Sequence, residues 1–114
     1  MDVYGLKNCD TCRKVKKALD GAGVSYAFHD VREEPVSVAQ IGRWATAVGT
    51  DKLLNKASTT WRNLPPTDKE SLSDKSAIKL MHEKPALMKR PIIVNGPTEV
   101  YVGWAKDTQE AVLD

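Results

Sequence analysis

The sequence predicts an α/β fold, because strand-like and helix-like segments alternate at both ends of the chain and a helical stretch lies between them. The order is strand, helix, strand, then helices, then strand, strand, helix. Segments that alternate in this way pack helices against a sheet. The chain has 114 residues, 41% of them hydrophobic, which suffices for a core of its own. We therefore expect one domain that spans residues 1–114.

The first strand and the first helix flank the only two cysteines of the sequence. Val3 and Tyr4 favour a short strand, and residues 5–8 favour a loop. Beyond the loop, four residues recur at the spacing of one helix face: Cys12, Val15, Leu19 and Ala22. Gly21 and Gly23 indicate where this helix ends.

A second strand and a helical middle are expected next. Val24, Tyr26 and Phe28 alternate with small or polar residues, which is typical of a half-buried strand over residues 24–29. Apolar residues at helical spacing then predict a helix that ends at Gly49. Its inward face is formed by Val38, Ile41, Ala45 and Val48. A loop-like stretch follows through Asn55, Thr59, Thr60 and Pro65-Pro66.

One more helix precedes the second half of the fold. Ser73 is placed to cap this helix, and Pro85 to stop it. The residues expected to face inward are Ala77, Ile78 and Met81.

Two strands and a helix close the chain. Residues 91–94 and 99–102 predict the strands, and Asn95-Gly96 predicts the turn between them. Residues 107–113 predict a short helix. This order of elements is that of a thioredoxin-like fold with a helical insertion, at about residues 36–88, between its two halves.

Composition and charge exclude several classes of function. The net charge of +2 is too small to favour nucleic-acid binding. No apolar run approaches the roughly 20 residues of a membrane span, and the N-terminus lacks the pattern of a secretory signal. We therefore expect a cytoplasmic protein, in which a CxxC pair is catalytic, redox-sensing or metal-binding.

Cys9 and Cys12 form this CxxC pair at the junction of the first strand and helix. The start of a helix stabilises a thiolate, and Lys7, Arg13 and Lys14 lie nearby in the sequence. Cys9 is therefore the candidate nucleophile. Cys12 lies one turn further along, on the face expected to be buried, and is the candidate resolving thiol.

Three other interpretations of the pair remain open. Cys12 could be a small core residue, or both thiols could be inert. The pair could also bind zinc together with His29 and His82. Structural zinc sites need four ligands at a recognisable spacing, and these histidines show none. We expect no metal.

Arg90-Pro91 is the second candidate site feature. Proline at the start of a strand donates no N–H to the sheet, and in a thioredoxin-like fold a cis proline at this place faces the CxxC pair. Arg90 would then stabilise the thiolate or hold an oxyanion. The alternative is a surface arginine before an edge strand.

Four segments together resemble one family, which contains the arsenate reductase ArsC, the transcription regulator Spx and the YffB-like proteins. The segments are residues 4–11 (YGLKNCDT), 54–62 (LNKASTTWR), 85–92 (PALMKRPI) and 102–104 (VGW). The resemblance implies a thioredoxin-like fold, a nucleophilic cysteine at Cys9 and an oxyanion-binding arginine at Arg90. It also implies glutathione or glutaredoxin as a partner and a small oxyanion or a disulfide as the substrate. Lys7, Asn8, Arg13 and Pro91 are then the candidate substrate-binding residues.

The sequence departs from the arsenate reductases of this family at three positions. Gly5 stands at the position where those enzymes have a histidine. Asn55 and Trp104 stand at or near the positions of two further arginines that bind the oxyanion in those enzymes. Spx, in contrast, carries a CxxC followed by Arg-Lys, as in Cys12-Arg13-Lys14, and acts by binding the C-terminal domain of the RNA polymerase α-subunit.

Two hypotheses follow. The first is a monomeric, arsenate reductase-like thiol oxidoreductase that is linked to glutathione as co-substrate and holds no bound cofactor. The second is an Spx-like redox-sensing regulator that docks on RNA polymerase.

Overall fold

Four strands form one mixed sheet in the order β2-β1-β3-β4. They are β1 (Asp2–Gly5), β2 (Ala27–Asp30), β3 (Ile92–Val94) and β4 (Val100–Val102). β1 is parallel to β2 and antiparallel to β3, which pairs antiparallel with β4. The computed structural model describes residues 1–70, 72–96 and 99–113. The predicted α/β class is confirmed.

The chain divides into two compact units, residues 1–34 with 90–114 and residues 35–89. The first unit holds the sheet and two helices, α1 (Asp10–Gly21) and α7 (Lys106–Leu113). The second holds helices α2 (Val38–Val48), α3 (Thr50–Leu53), α4 (Thr59–Arg62), α5 (Pro66–Glu70) and α6 (Asp74–Glu83), and a 3-10 turn (Pro85–Leu87). The expectation of one domain over residues 1–114 stays a prediction.

The core of the first unit joins one face of the sheet to α1 and α7. Val3 in β1 and Ile93 in β3 are register partners and are fully buried. Val15 and Leu19 of α1 and Val112 of α7 pack in the same cluster. Each fully buried aliphatic side chain contributes about 1.5–3 kcal/mol. This packing fixes the first turn of α1 beyond the end of β1.

The second unit buries its own apolar residues between capped helices. The Oγ of Ser37 accepts the backbone N–H of Gln40 (3.1 Å) at the start of α2. Ser73 and Ser76 form a reciprocal capping box at the start of α6, as the sequence predicted for Ser73. The largest buried side chains in these helices and the turn include Ile41, Trp44, Leu53, Met81 and Leu87.

The second strand is shorter than predicted. It begins at Ala27, so the prediction of a strand from residue 24 was wrong for its first three residues. The backbone N–H of Val24 donates instead to the carbonyl of Leu19 (3.0 Å), and the Tyr26 hydroxyl donates to the carbonyl of Lys16 (3.5 Å). Val24 and Tyr26 therefore hydrogen-bond to α1 before the chain enters the sheet.

The stretch predicted as loop after Gly49 contains three short helices, α3, α4 and α5. The clearest local cause is at α4, where the Oγ of Ser58 accepts the N–H of Trp61 (3.1 Å). Such a cap satisfies a free N–H at the helix start. The helices are only four or five residues long, too short to show an apolar period.

Two helix faces differ from the prediction at their ends. Ala22 is not on the buried face of α1 but follows it as the C-cap and is exposed. Val38, predicted to face inward, is 48% exposed at the start of α2. Trp44 takes the buried place beside Ile41 and Ala45 instead. Val38 is the first residue of α2, so no preceding helical turn covers it.

The turn predicted at Asn95-Gly96 is described in part. The N–H of Asn95 donates to the carbonyl of Glu99 (2.9 Å), and Gly96 has a positive φ of 88° that favours glycine. Residues 97 and 98 of this connection lie outside the described residues.

Within the described ranges, none of the helices has the length and apolar character needed to cross a bilayer.

Removing the cap of α6 tests how much the capping hydrogen bond contributes to stability. Ser73→Ala is expected to lower the free energy of unfolding by about 0.5–2 kcal/mol, because the N–H of Ser76 loses its acceptor. Urea unfolding measures the change. Ser25→Ala is the control, since Ser25 is exposed between α1 and β2 and surface changes stay within about 0.5 kcal/mol. Equal stability of both variants would contradict the capping role.

Candidate active site

Three chain segments meet at one edge of the sheet. β1 and β2 are parallel, so the segments that follow Gly5 and Asp30 leave the sheet at the same edge. β3 is antiparallel to β1, so its start, preceded by Arg90 and Pro91, lies at this edge too. Ligand sites in α/β sheets lie beyond the carboxyl ends of parallel strands. The sheet therefore brings the segments that carry Cys9 and Arg90 together.

Cys9 is the N-cap residue of α1. Its backbone is extended (φ −101°, ψ 124°), and its carbonyl accepts the N–H of Arg13 (3.0 Å) as the first bond of the helix. Its own N–H donates to the carbonyl of Leu6 (3.2 Å), which closes the loop after β1. At this position a side chain can accept the free N–H groups of the first helical turn. The sulfur of Cys9 therefore lies where a negative charge is stabilised.

The pKa of the Cys9 thiol lies below its ordinary value. Partial burial raises it, but several contacts together outweigh this effect. The neighbouring backbone N–H groups of Cys12 and Thr11, the thiol of Cys12 and the charge of Arg90 all lower it. Cys9 is partly exposed. It is therefore the accessible and more acidic thiol of the pair.

Cys12 has the opposite character. It is fully buried in α1, and burial raises the pKa of its thiol to about 11. The N–H···S contact at Leu6 and the charge of Arg90 lower this pKa, whereas the hydrogen bond to Cys9 and the charge on Cys9 raise it. Both cysteines are free thiols in the structure. Cys12 is therefore the less acidic thiol of the pair and gives up its proton less readily than Cys9.

Arg90 and Pro91 border the site at the start of β3. The peptide bond between them is cis, and Pro91 is buried while its carbonyl accepts the N–H of Gly103 (2.8 Å). Arg90 is partly exposed, and its charge lowers the pKa of both thiols. The alternative of a surface arginine unrelated to the cysteines is therefore not supported.

A cleft of about 450 Å³ opens beside Cys9. The loop after β1, the segment after β2 and Arg90 form its walls. Its lining residues are Leu6, Lys7, Asn8, Cys9, Asp30, Arg32, Glu33 and Arg90. Three of them are cationic and two are acidic. Of the predicted substrate-binding residues, the cleft thus includes Lys7 and Asn8.

Asp30 is a site residue that the sequence analysis missed. Its carboxylate accepts the N–H groups of Lys7 (2.9 Å), Arg32 (2.8 Å) and Glu33 (3.3 Å). The bond from Lys7 is the main reason that the pKa of Asp30 is lowered. Asp30 therefore ties the cysteine loop to the segment after β2. The available signal was its place at the end of a strand parallel to β1, where site residues gather.

Lys7 and Arg13 are each paired with a carboxylate. The Lys7 ammonium lies 2.8 Å from Glu33, and this hydrogen bond is the main cause of a raised pKa at Lys7. The Arg13 guanidinium lies 3.0 Å from Asp10, and Arg13 is not among the cleft-lining residues. A substrate-binding role for Arg13 or for the buried Pro91 stays a prediction.

The two histidines have other partners than the thiols. His29 lies 3.0 Å from Asp2 and 3.5 Å from Glu34, and its ring stacks on Tyr4 with 4.7 Å between centroids. Nδ1 of His82 lies 2.7 Å from the carbonyl oxygen of Val36. In the part of the chain that the structure describes, no three His, Cys, Asp or Glu side chains are arranged to hold a metal ion.

Comparison with known proteins identifies the family. The family model described as the ArsC family matches residues 4–112. The chain belongs to the ArsC family. An uncharacterized protein from Haemophilus influenzae is 42% identical over 92 residues, which are 81% of each chain. The global transcriptional regulator Spx of Listeria innocua is 29% identical over 107 residues, 92% of this chain and 80% of the regulator.

Solved structures of similar proteins share the fold. The YFFB protein superposes with a TM-score of 0.93 at 35% identity, over 99% of this chain and 98% of that one. An arsenate reductase (ArsC) related protein from Brucella melitensis has a TM-score of 0.76 at 34% identity, over 96% and 91% of the two chains. The resemblance stated from the sequence is confirmed, and with it the thioredoxin-like fold.

The His29–Asp2 pair predicts a pH-dependent part of the stability. The hydrogen bond to Asp2 is the main cause of a raised pKa at His29. The stabilisation is therefore fully present below the unfolded pKa of about 6.5 and is lost as the pH rises through the higher folded pKa. His29→Gln is expected to reduce the free energy of unfolding more at about pH 5.5 than at about pH 8.5.

Asp2→Asn serves as the matched test of this pair. It is expected to remove the larger share of this pH-dependent part, because Glu34 still faces His29 in this variant. The double variant is expected to lose no more of it than His29→Gln alone. Urea unfolding at the two pH values measures all three variants. An effect of His29→Gln that is the same at both pH values would show that only its stacking on Tyr4 matters.

Proposed function

We propose that this ArsC-family protein is a thiol-dependent reductase linked to glutathione, with Cys9 as nucleophile and Cys12 as resolving thiol. The observation that carries the proposal is the contrast between a partly exposed thiol at the start of α1 and a buried thiol one turn further along. The pKa of Cys9 is lowered at the start of α1, and that of Cys12 is raised to about 11 by burial. One sulfur is thereby available for attack while the other stays protonated beside it.

The first step is nucleophilic attack by the Cys9 thiolate on a disulfide sulfur. A bond forms between Cys9 and that sulfur, the substrate S–S bond breaks, and the other half leaves as a thiolate. Cys12 then loses its proton and attacks the Cys9 sulfur, which closes a Cys9–Cys12 disulfide and releases the bound half. Two glutathione thiols reduce this disulfide and leave as oxidised glutathione.

The ionisation of Cys12 changes between these steps. In the free protein, the hydrogen bond to Cys9 and the charge on Cys9 both raise the pKa of Cys12. Both contributions vanish once the Cys9 sulfur is part of a mixed disulfide, whereas the charge of Arg90 still favours the thiolate. Burial still raises the pKa of Cys12, but its thiolate is favoured more at the stage at which its attack is required than in the free protein.

The cleft favours an anionic substrate. Lys7 is paired with Glu33, and Asp30 is occupied by three backbone N–H groups. Arg32 and Arg90 form no ion pair with a carboxylate among the described residues. Two such guanidinium groups beside a thiolate suit the carboxylates of glutathione or a small oxyanion. Asn8 adds an exposed amide to the same cleft.

The remaining parts of the proposal follow from this chemistry. Glutathione is the co-substrate, and glutaredoxin is the candidate protein partner. The chain acts as a monomer in the reducing cytoplasm, without nucleic acid, membrane or bound cofactor. Arsenate is one possible oxyanion substrate, and a glutathione mixed disulfide is the other class.

A second candidate function is that of a redox-sensing regulator. It is supported by the Spx relatives and by Cys12-Arg13-Lys14, which resembles the segment that follows the Spx nucleophile. In that case the Cys9–Cys12 disulfide would change binding to the C-terminal domain of the RNA polymerase α-subunit. Pull-down with the oxidised and the reduced protein distinguishes the candidates, and binding in neither state removes the second.

NADPH consumption in the presence of glutathione, glutathione reductase and glutaredoxin tests the reductase. The reaction is started with arsenate or with a glutathione mixed disulfide. We expect consumption with at least one of them and its loss in Cys9→Ser, because the serine hydroxyl does not ionise at neutral pH. Glutaredoxin is left out when the mixed disulfide is used, because it reduces such disulfides by itself. Cys9-dependent consumption with the disulfide alone would then assign a thiol reductase, and Cys9-dependent consumption with arsenate an arsenate reductase.

Cys12→Ser is the matched control, since it also replaces one sulfur by oxygen. It should retain attack by Cys9 and accumulate a glutathione adduct that mass spectrometry detects on Cys9. Activity of Cys9→Ser equal to that of the native protein would rule out the proposed mechanism.

A further inference from the structure

Gly5, the last residue of β1, lies against the buried thiol of Cys12. A Cβ atom placed on Gly5 would lie 2.5 Å from the Sγ of Cys12. The next nearest atoms, Cβ of Cys12 and a ring carbon of Phe28, would be 3.5 Å away, which is ordinary contact. The sulfur is therefore the one described neighbour that a methyl group at position 5 would displace.

The backbone of Gly5 does not itself require glycine. The positive φ angles among the described residues occur elsewhere, at Gly23, Gly49, Gly96 and Gly103. Gly5 pairs with Asp30 in the sheet, and its carbonyl accepts the N–H of Val31 (2.9 Å). Glycine inside a strand weakens the strand and often marks a close approach by another group. The close group here is the Cys12 sulfur.

The sulfur of Cys12 has a defined place. Cys12 is fully buried, so its sulfur has no solvent side into which it can turn. Cys9 lies three residues before it, at the N-cap of the same helix, so the two side chains are neighbours. A side chain at position 5 would compete for the same volume, and a close-packed interior has little room to spare.

We propose that Gly5 is a positioning residue for the thiol chemistry. The missing Cβ leaves the space in which the Cys12 sulfur lies in contact with Cys9. The inference rests on the proposed function, in which Cys12 closes a disulfide with Cys9. The effect of a side chain at position 5 therefore depends on which residue occupies position 12.

A dithiobis(nitrobenzoate) reagent separates the two thiol steps. The Cys9 thiolate attacks the reagent disulfide, one nitrothiobenzoate anion leaves, and the other half stays bound to Cys9. Cys12 then gives its proton to the buffer and attacks the Cys9 sulfur, which closes the Cys9–Cys12 disulfide and releases the second anion. The first release reports on Cys9, and the second reports on the placement of Cys12.

Gly5→Ala is expected to slow the second release by roughly 10- to 100-fold, because a displacement of about 1 Å disturbs the alignment for attack. The first release should change far less. Gly21→Ala is the matched control, since a Cβ there meets nothing within 4 Å and Gly21 has no positive φ. A second release at the native rate in Gly5→Ala would overturn the inference.

Unfolding of the reduced protein gives an independent test. Gly5→Ala is expected to lower the urea midpoint when Cys12 is present, and to lower it much less in a Cys12→Ala background. In the double variant the new methyl group occupies volume that the sulfur has left. An equal loss in both backgrounds would contradict the inference.

The two tests also cover the other outcomes. If Gly5→Ala does not fold, folding of the double variant supports the inference, and its failure to fold refutes it. If the native protein shows no second release, the resolving role of Cys12 in the proposed function is wrong. The unfolding comparison then decides by itself whether Gly5 makes the space for the sulfur.

Discussion

The free backbone N–H groups in the first turn of α1 are the feature on which the rest of the site depends. They are available because the helix begins at Asp10, directly after the Cys9 loop, and because its buried face anchors it to the sheet. Their partial positive charge acts on the side chain at the N-cap position. Because the N-cap residue is a cysteine, this charge favours the thiolate form of its side chain.

The second thiol acquires its character from the same helix. One turn separates Cys12 from Cys9, which takes it from the exposed cap to the buried face. Burial disfavours the thiolate, so the two sulfurs differ in ionisation although they are three residues apart. Asp30 holds the loop around this arrangement through backbone N–H groups, independently of any ligand. Hydrogen bonds from backbone N–H groups thus hold the site together, and the guanidinium groups of Arg32 and Arg90 supply positive charge to it.

The sequence predicted those parts of the molecule that depend on periodic burial or on local backbone chemistry. The apolar spacing of Val15 and Leu19 identified α1, and the Ser73 cap identified α6. Asp30 was missed because its role comes from strand pairing between β1 and β2, which no local pattern records. The exposed ion pair between Arg13 and Asp10 was not predicted either, because a sequence does not show which of several nearby charges a side chain contacts.

The two thiols differ in acidity, with the pKa of Cys9 below that of an ordinary thiol and the pKa of Cys12 above it. The most direct measurement is the rate of iodoacetamide alkylation against pH, with each modified cysteine identified by mass spectrometry. We expect modification of Cys9 with a midpoint below the ordinary thiol pKa of about 8.5, raised by Arg90→Gln and left nearly unchanged by Arg13→Gln. Preferential modification of Cys12, or a Cys9 midpoint at or above the ordinary value, would contradict it.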